Sequence, residues 1–185
     1  MFTNVEKILP ENPLQVITLE QAKKQLRVEE EFVEEDDLIQ GYIDAALLVV
    51  ENYINGDIQE KQLVIHLDKF QESLVFEAYP IQQIESVEYY QNEEKETLSL
   101  DSYYTSAQNL KQTKLVFKEQ PNTDDREDAV IITVSIGYSD AGEVPAPLKQ
   151  AMLLQISDMY ERRENRLDVV ATAAQALMRP YRKYT

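Results

Sequence analysis

The stretch Tyr53-Ile54-Asn55-Gly56-Asp57-Ile58-Gln59-Glu60-Lys61-Gln62-Leu63-Val64-Ile65-His66-Leu67 is where the chain changes its period. Before it, Leu38, Ile39, Tyr42, Ile43, Ala46, Val49, Val50, Tyr53 and Ile54 recur at three- and four-residue steps, which predicts a long helix from Asp36 closed by Asn55-Gly56. After it the apolar residues alternate, in segments near 62–67, 73–77, 84–90, 101–105, 113–118 and 129–136. Polar stretches such as Gln91-Asn92-Glu93-Glu94 and Pro121-Asn122-Thr123-Asp124-Asp125 part them. This predicts a meandering antiparallel sheet of about five or six strands.

Outward from that switch, the helical period appears twice more. Thr18-Leu19-Glu20-Gln21 has the form of a capping box and opens a short helix through Ala22 and Leu26. Beyond Ser139-Asp140-Ala141-Gly142, Pro145 and Pro147 suit a helix start, and Leu148, Ala151, Met152, Gln155, Ile156, Met159 and Tyr160 follow on one stripe. Val169, Val170, Ala173, Ala174 and Leu177 mark a last short helix that stops before Pro180. The fold class expected is α+β: a small helical bundle built from N- and C-terminal helices, with the antiparallel sheet inserted between them in sequence. Its parts are an extended arm (1–17), a first helical unit (18–57), the β insert (58–138), a second helical unit (139–178) and a C-terminal tail (179–185). Leu38, Tyr42, Val49, Ala151, Met152 and Ile156 are expected to be buried against one another.

Composition narrows function. A length of 185 residues suits one medium-sized domain or one with an insert. The longest uncharged apolar run, Ala45–Val50, falls far short of the roughly 20 residues of a membrane span, so a soluble protein is expected. Eighteen basic against thirty-four acidic residues give a net charge of −16, which opposes ordinary duplex binding, because affinity for DNA comes largely from Lys and Arg at phosphates. With no cysteine there is no disulfide framework or thiol nucleophile, and the first residues form no signal peptide; an intracellular compartment is expected.

His66 is the single histidine, and alternation sets it on the opposite face of a strand from Leu63, Ile65 and Leu67, where it reads as an outward residue rather than a base. Gly41, Gly56, Gly137 and Gly142 form no phosphate-binding pattern. A carboxylate pair such as Glu85 and Glu88 would serve an enzyme only if a cleft perturbed both, and nothing in the spacing requires one. The sequence therefore points to no enzyme, no cofactor and no metal. Tyr89, Tyr90, Tyr103 and Tyr104 read as strand packing, or alternatively as the lining of a small-molecule or carbohydrate site in the β insert.

Two charge features remain. Seven acids in the nine positions Glu29–Asp37 read as a solvated loop before a helix N-terminus; the spacing of a calcium loop is absent. Residues 1–147 carry a net −19 and residues 148–185 a net +3, the latter including Arg162, Arg163, Arg166, Arg179, Arg182 and Lys183. Cations at a helix C-terminus account for Arg162 and Arg163. The tail Arg179-Pro180-Tyr181-Arg182-Lys183-Tyr184 carries residue types that anchor interfaces, and suits partner contact and disorder equally.

These fragments, in their order, carry a resemblance. Thr18-Leu19-Glu20-Gln21-Ala22-Lys23 with Leu26, an acidic turn into Asp37-Leu38-Ile39, and Ala45-Ala46 ahead of Val50-Glu51-Asn52-Tyr53 resemble the opening of the tailed-phage head–tail connector (adaptor) family. Tyr79-Pro80-Ile81 with Ile84, Ser86, Val87 and Tyr89 resembles the longer branch, which has a β-rich insert. Gly137-Tyr138, Val144-Pro145-Ala146-Pro147-Leu148-Lys149-Gln150-Ala151, Tyr160-Glu161-Arg162-Arg163-Glu164 and Ala176-Leu177-Met178-Arg179-Pro180-Tyr181-Arg182 resemble its C-terminal half.

The resemblance implies a structural protein of a virion or prophage, found at the head–tail interface and, during assembly, in the host cytoplasm. It implies a ring of about a dozen copies, each meeting its neighbour through two different faces. The ring would dock beneath the portal protein, extend the DNA channel and receive a downstream stopper or tail-joining protein, while genomic DNA passes through unbound. On this footing Arg179, Tyr181, Arg182, Lys183 and Tyr184 are the expected portal-docking residues, in a tail mobile until it docks, and Arg162, Arg163 and Arg166 are candidate inter-subunit or rim contacts.

Overall fold

A computed structural model describes residues 2–10, 13–76, 81–109, 112–162 and 173–183. It divides into two units, one of strands (Met1–Pro13 with Gln59–Tyr138) and one of helices (Leu14–Ile58 with Ser139–Thr185). The fold class is α+β.

In the strand unit, β1 (Phe2–Ile8), β2 (Lys61–Leu67), β3 (Ser73–Phe76), β4 (Ile81–Gln91), β5 (Glu94–Thr97), β6 (Tyr103–Asn109), β7 (Gln112–Phe117) and β8 (Val130–Ile136) form two antiparallel sheets. One has the order β1-β2-β8-β4-β5 and the other β3-β7-β6. The single meander of five or six strands expected from alternation is thus corrected, among the described residues, to eight strands in two sheets. Residues 101–102 belong to a 3-10 turn ahead of β6. Val130-Ile131-Ile132-Thr133-Val134-Ser135-Ile136 pairs with β2 along one edge and β4 along the other, and every residue but Thr133 is buried, in keeping with its almost continuously apolar sequence. Leu63, Ile65, Leu67, Val87, Val130, Ile132 and Val134 of one sheet share a core with Leu74, Phe76, Leu115 and Phe117 of the other.

Two strands lacked an alternation signal. Residues 2–8, read as part of an extended arm, are extended but hydrogen-bonded along β2, with an irregularity between Phe2 and Asn4 that interrupts the period. β5 is entirely exposed and polar. It forms because Asn92 and Glu93 both take positive φ, 56° and 65°, as a tight hairpin turn demands, and the Asp124 carboxylate accepts both of their N–H groups. Gly137, at φ +86°, ends β8; a Cβ there would stand 2.1 Å from the Gln59 carbonyl oxygen, so only glycine fits.

In the helical unit, α1 (Leu19–Leu26) begins with the reciprocal Thr18–Gln21 capping box. α2 (Asp36–Ile54) ends at Asn55 in the left-handed region. α3 (Ala146–Glu161) follows Pro145, and α4 (Ala173–Met178) precedes a 3-10 turn at Arg179–Tyr181. α2 packs along α3, with α1 against both and α4 closing on α3. Ala151, Met152 and Ile156 are buried as expected, but the α2 stripe is corrected by one position. Ile39, Ile43, Ala46, Val50 and Ile54 face the core, whereas Leu38 and Val49 are exposed and Tyr42 is half-buried. The cause is that Leu38-Ile39, Tyr42-Ile43 and Val49-Val50 are adjacent apolar pairs, so two helical stripes fit one sequence. Val169 and Val170 lie outside the described residues.

Candidate docking surfaces

The acidic run and the basic tail lie at opposite ends of α2. A 19-residue helix rises about 28 Å, several times the screening length of roughly 8 Å at physiological salt, so the two ends do not neutralise each other.

At the N-terminal end the acidic run is a tied loop. Lys23 is 3% exposed; its ammonium pairs with Asp36 and donates to the carbonyls of Glu30 at 3.0 Å and Phe32 at 2.9 Å. Tyr160 on α3 donates its hydroxyl to the Glu35 carboxylate. Phe32 and Val33 are left exposed between carboxylates. Among the described residues no cluster of His, Asp or Glu is arranged to hold a metal ion.

At the other end the tail is anchored. Met178 is buried, the Lys183 N–H donates to the Ile54 carbonyl at 2.9 Å, and the Arg182 guanidinium lies 5.1 Å from the Tyr53 ring centre. The expected mobile tail is corrected as far as Lys183: Pro180 ends α4 into a 3-10 turn, which carries the chain onto the end of α2. Arg179 and Arg182 are exposed and Tyr181 half-buried. Tyr184 lies outside the described residues, as do Arg163 and Arg166. Arg162 is exposed at the end of α3, its guanidinium 2.9 Å from the Asp158 carboxylate.

A family model for head completion proteins matches residues 15–175, most of the chain. The chain belongs to the head completion protein family. Its role is structural, in the virion. No curated protein matches the sequence. Among solved structures, this head completion protein resembles a chain in the neck of an empty gene transfer agent particle computed with C6 symmetry, at 13% identity and TM-score 0.76, over 98% of this chain and 96% of that one. It also resembles chains from the virion of the native gene transfer agent particle, at 12% identity and TM-score 0.74. A third likeness, also at 12%, is to the neck of the native particle computed with C12 symmetry, with TM-score 0.73. Each of these two covers 98% of this chain and 96% of the other. At such identities the likeness is one of fold.

The other residues singled out in the sequence are not gathered into a site in this family member. His66 is half-buried on the sheet face opposite Leu63, Ile65 and Leu67. Glu85 accepts from Ser135 and Gln83, which hold its carboxyl below the usual value, while Glu88 pairs with Lys95 at 2.8 Å. Tyr89 and Tyr103 are core residues, edge-on to Phe70 and Phe117. Tyr90 lies under Arg126 at 3.7 Å, and Tyr104 has Lys118 at 5.8 Å. A cavity of about 310 Å³ in the strand unit is lined by Ile8, Leu9, Pro10, Glu60, Lys61, Gln62, Glu85 and Ser135, with none of these tyrosines. Sequence reasoning missed Lys23, whose partners are backbone carbonyls and an acid thirteen positions away.

Proposed function

We propose that the protein forms a ring in the neck of a virion, beneath the portal, which lengthens the DNA channel and joins head to tail without catalysing a reaction. The observation that carries this reading is the family match over residues 15–175, supported by the similarity in fold to chains from particle necks computed with C6 and C12 symmetry. A net charge of −16 suits a conduit, since a wall poor in cations neutralises few phosphates and lets DNA slide. The ring of about a dozen copies requires each copy to meet its neighbour through two different faces. In this reading Arg179, Tyr181, Arg182, Lys183 and Tyr184 meet the portal protein, Arg162, Arg163 and Arg166 lie at the rim between copies, and the far side of the ring receives a stopper or tail-joining protein. Anchored on α2, the tail would present Arg179 and Arg182 in a fixed position, which lowers the ordering cost of docking.

Electron microscopy of the purified protein, alone and mixed with its portal, tests the reading. A ring on the portal is expected, and a chain without residues 179–185 should fail to attach. Attachment of that truncated chain would move docking to another surface, and a protein that never assembles on portals would remove the ring.

A further inference from the structure

α2 has a second apolar face that the described residues of its unit leave exposed. Leu38, Val49 and Leu48 are 39%, 41% and 58% exposed. With Gly41 and Ala45 between them they fall within an arc of roughly 100°, away from Ile39, Ala46 and Val50. Asp37 and Asp44 border this arc, and α2 holds four acids with no lysine or arginine. At its centre is Gly41. Among the described residues nothing lies within 4 Å of where a Cβ would stand, so internal packing does not call for glycine, which is a poor residue inside a helix. Close approach of another molecule's backbone does call for one.

We propose that this face of α2 is one half of the contact between neighbouring copies, and that the basic C-terminal part of a second copy covers it. The inference rests on the ring reading and adds the residues that join the copies. Charge selects the occupant. Pairing α2 with α2 about a two-fold axis would bring the acids of both helices together with no base among them. Residues 148–185 carry seven basic against four acidic residues, and Arg162, which lies outside the tail assigned to the portal, is exposed at the end of α3. Set against α2 they match its acidic border and supply the second, different face that a closed ring needs. Leu38, Leu48 and Val49 then form the dry centre and Asp37 and Asp44 the polar rim.

Because the chain has no cysteine, Leu48→Cys introduces a single thiol, on an exposed position, that can carry a benzophenone cross-linker. In rings assembled on portals, irradiation should join position 48 to residues 148–185 of a second copy, as mapped by mass spectrometry. Cross-links to α2 of a second copy, to the strand unit, to another virion protein, or to nothing would overturn the inference while leaving the ring intact. Failure of the wild-type chain to form a ring would overturn both. In a second measurement, Gly41→Ala should raise the thermal midpoint of the isolated chain and weaken self-association tenfold or more. Unchanged association of this better-folded variant would also overturn the proposal.

Discussion

Lys183 donates its backbone N–H to the carbonyl of Ile54 at 2.9 Å, which ties the end of the described chain to the last turn of α2. That carbonyl is one of the four that a helix leaves without an internal partner at its C-terminus. The tail is therefore part of the helix ending. Deleting residues 179–185 should cost about 1 to 2 kcal/mol, from one backbone hydrogen bond and the Arg182–Tyr53 contact. A thermal midpoint a few degrees lower is expected for the helical unit; an unchanged midpoint would show that the tail bears on nothing.

Lys23→Met should be the most damaging change near the acidic loop. It keeps most of the apolar stem and leaves Asp36 without its cation and two carbonyls without their donor. Breaking a buried ion pair costs about 3 to 5 kcal/mol, and because Asp36 keeps some exposure a loss of roughly 2 to 3 kcal/mol is expected in urea unfolding. A loss under about 0.5 kcal/mol would mean that water replaces the ammonium.

Gly137→Ala forces a Cβ against the Gln59 carbonyl in a left-handed backbone. The strain and the collision together should remove on the order of 3 kcal/mol or more from the strand unit. Circular dichroism on heating reads this directly, and a wild-type midpoint would contradict the close approach at this corner.

The strand unit should lose stability in acid. Hydrogen bonds from Ser135 and then Gln83 lower the Glu85 carboxyl, and Arg126 lowers Asp128 in the same way. A depressed acid contributes stability that is present above its unfolded value, near about 4, and is lost as pH falls through its folded value. Ser135→Ala should move the Glu85 titration upward in carboxyl NMR and lessen the fall in stability below about pH 4. Should the Glu85 titration stay where it is in the variant, Ser135 is not what holds it down.

Much of this architecture was legible as period. The capping box at Thr18, the closure of α2 at Asn55-Gly56, the buried Ala151-Met152-Ile156 stripe and the central apolar strand all carry their own signals. The orientation of α2 was not legible, because paired apolar neighbours leave two stripes to choose from, and packing of the bundle onto Ala46 and Val50 decides between them. β1 and β5 were hidden for a different reason: edge strands bury little, so their pairing rests on backbone hydrogen bonds that any side chain permits. The basic and aromatic character of the tail could be read, but its anchor is a main-chain bond from Lys183, and such a bond leaves no mark in the sequence.

The position of β8 has a consequence for the order of synthesis. The strand lies between β2 and β4, yet it is among the last parts of its unit to leave the ribosome, and the helical unit likewise waits for α3. Neither unit closes until most of the chain exists, which makes folding slow in the manner of proteins dominated by distant contacts. A ribosome stalled before residue 130 would release a product with two half-built cores and exposed strand edges, prone to aggregation or proteolysis. Only the finished chain closes both cores, so an incomplete copy is expected to be cleared by proteolysis before it can enter a particle.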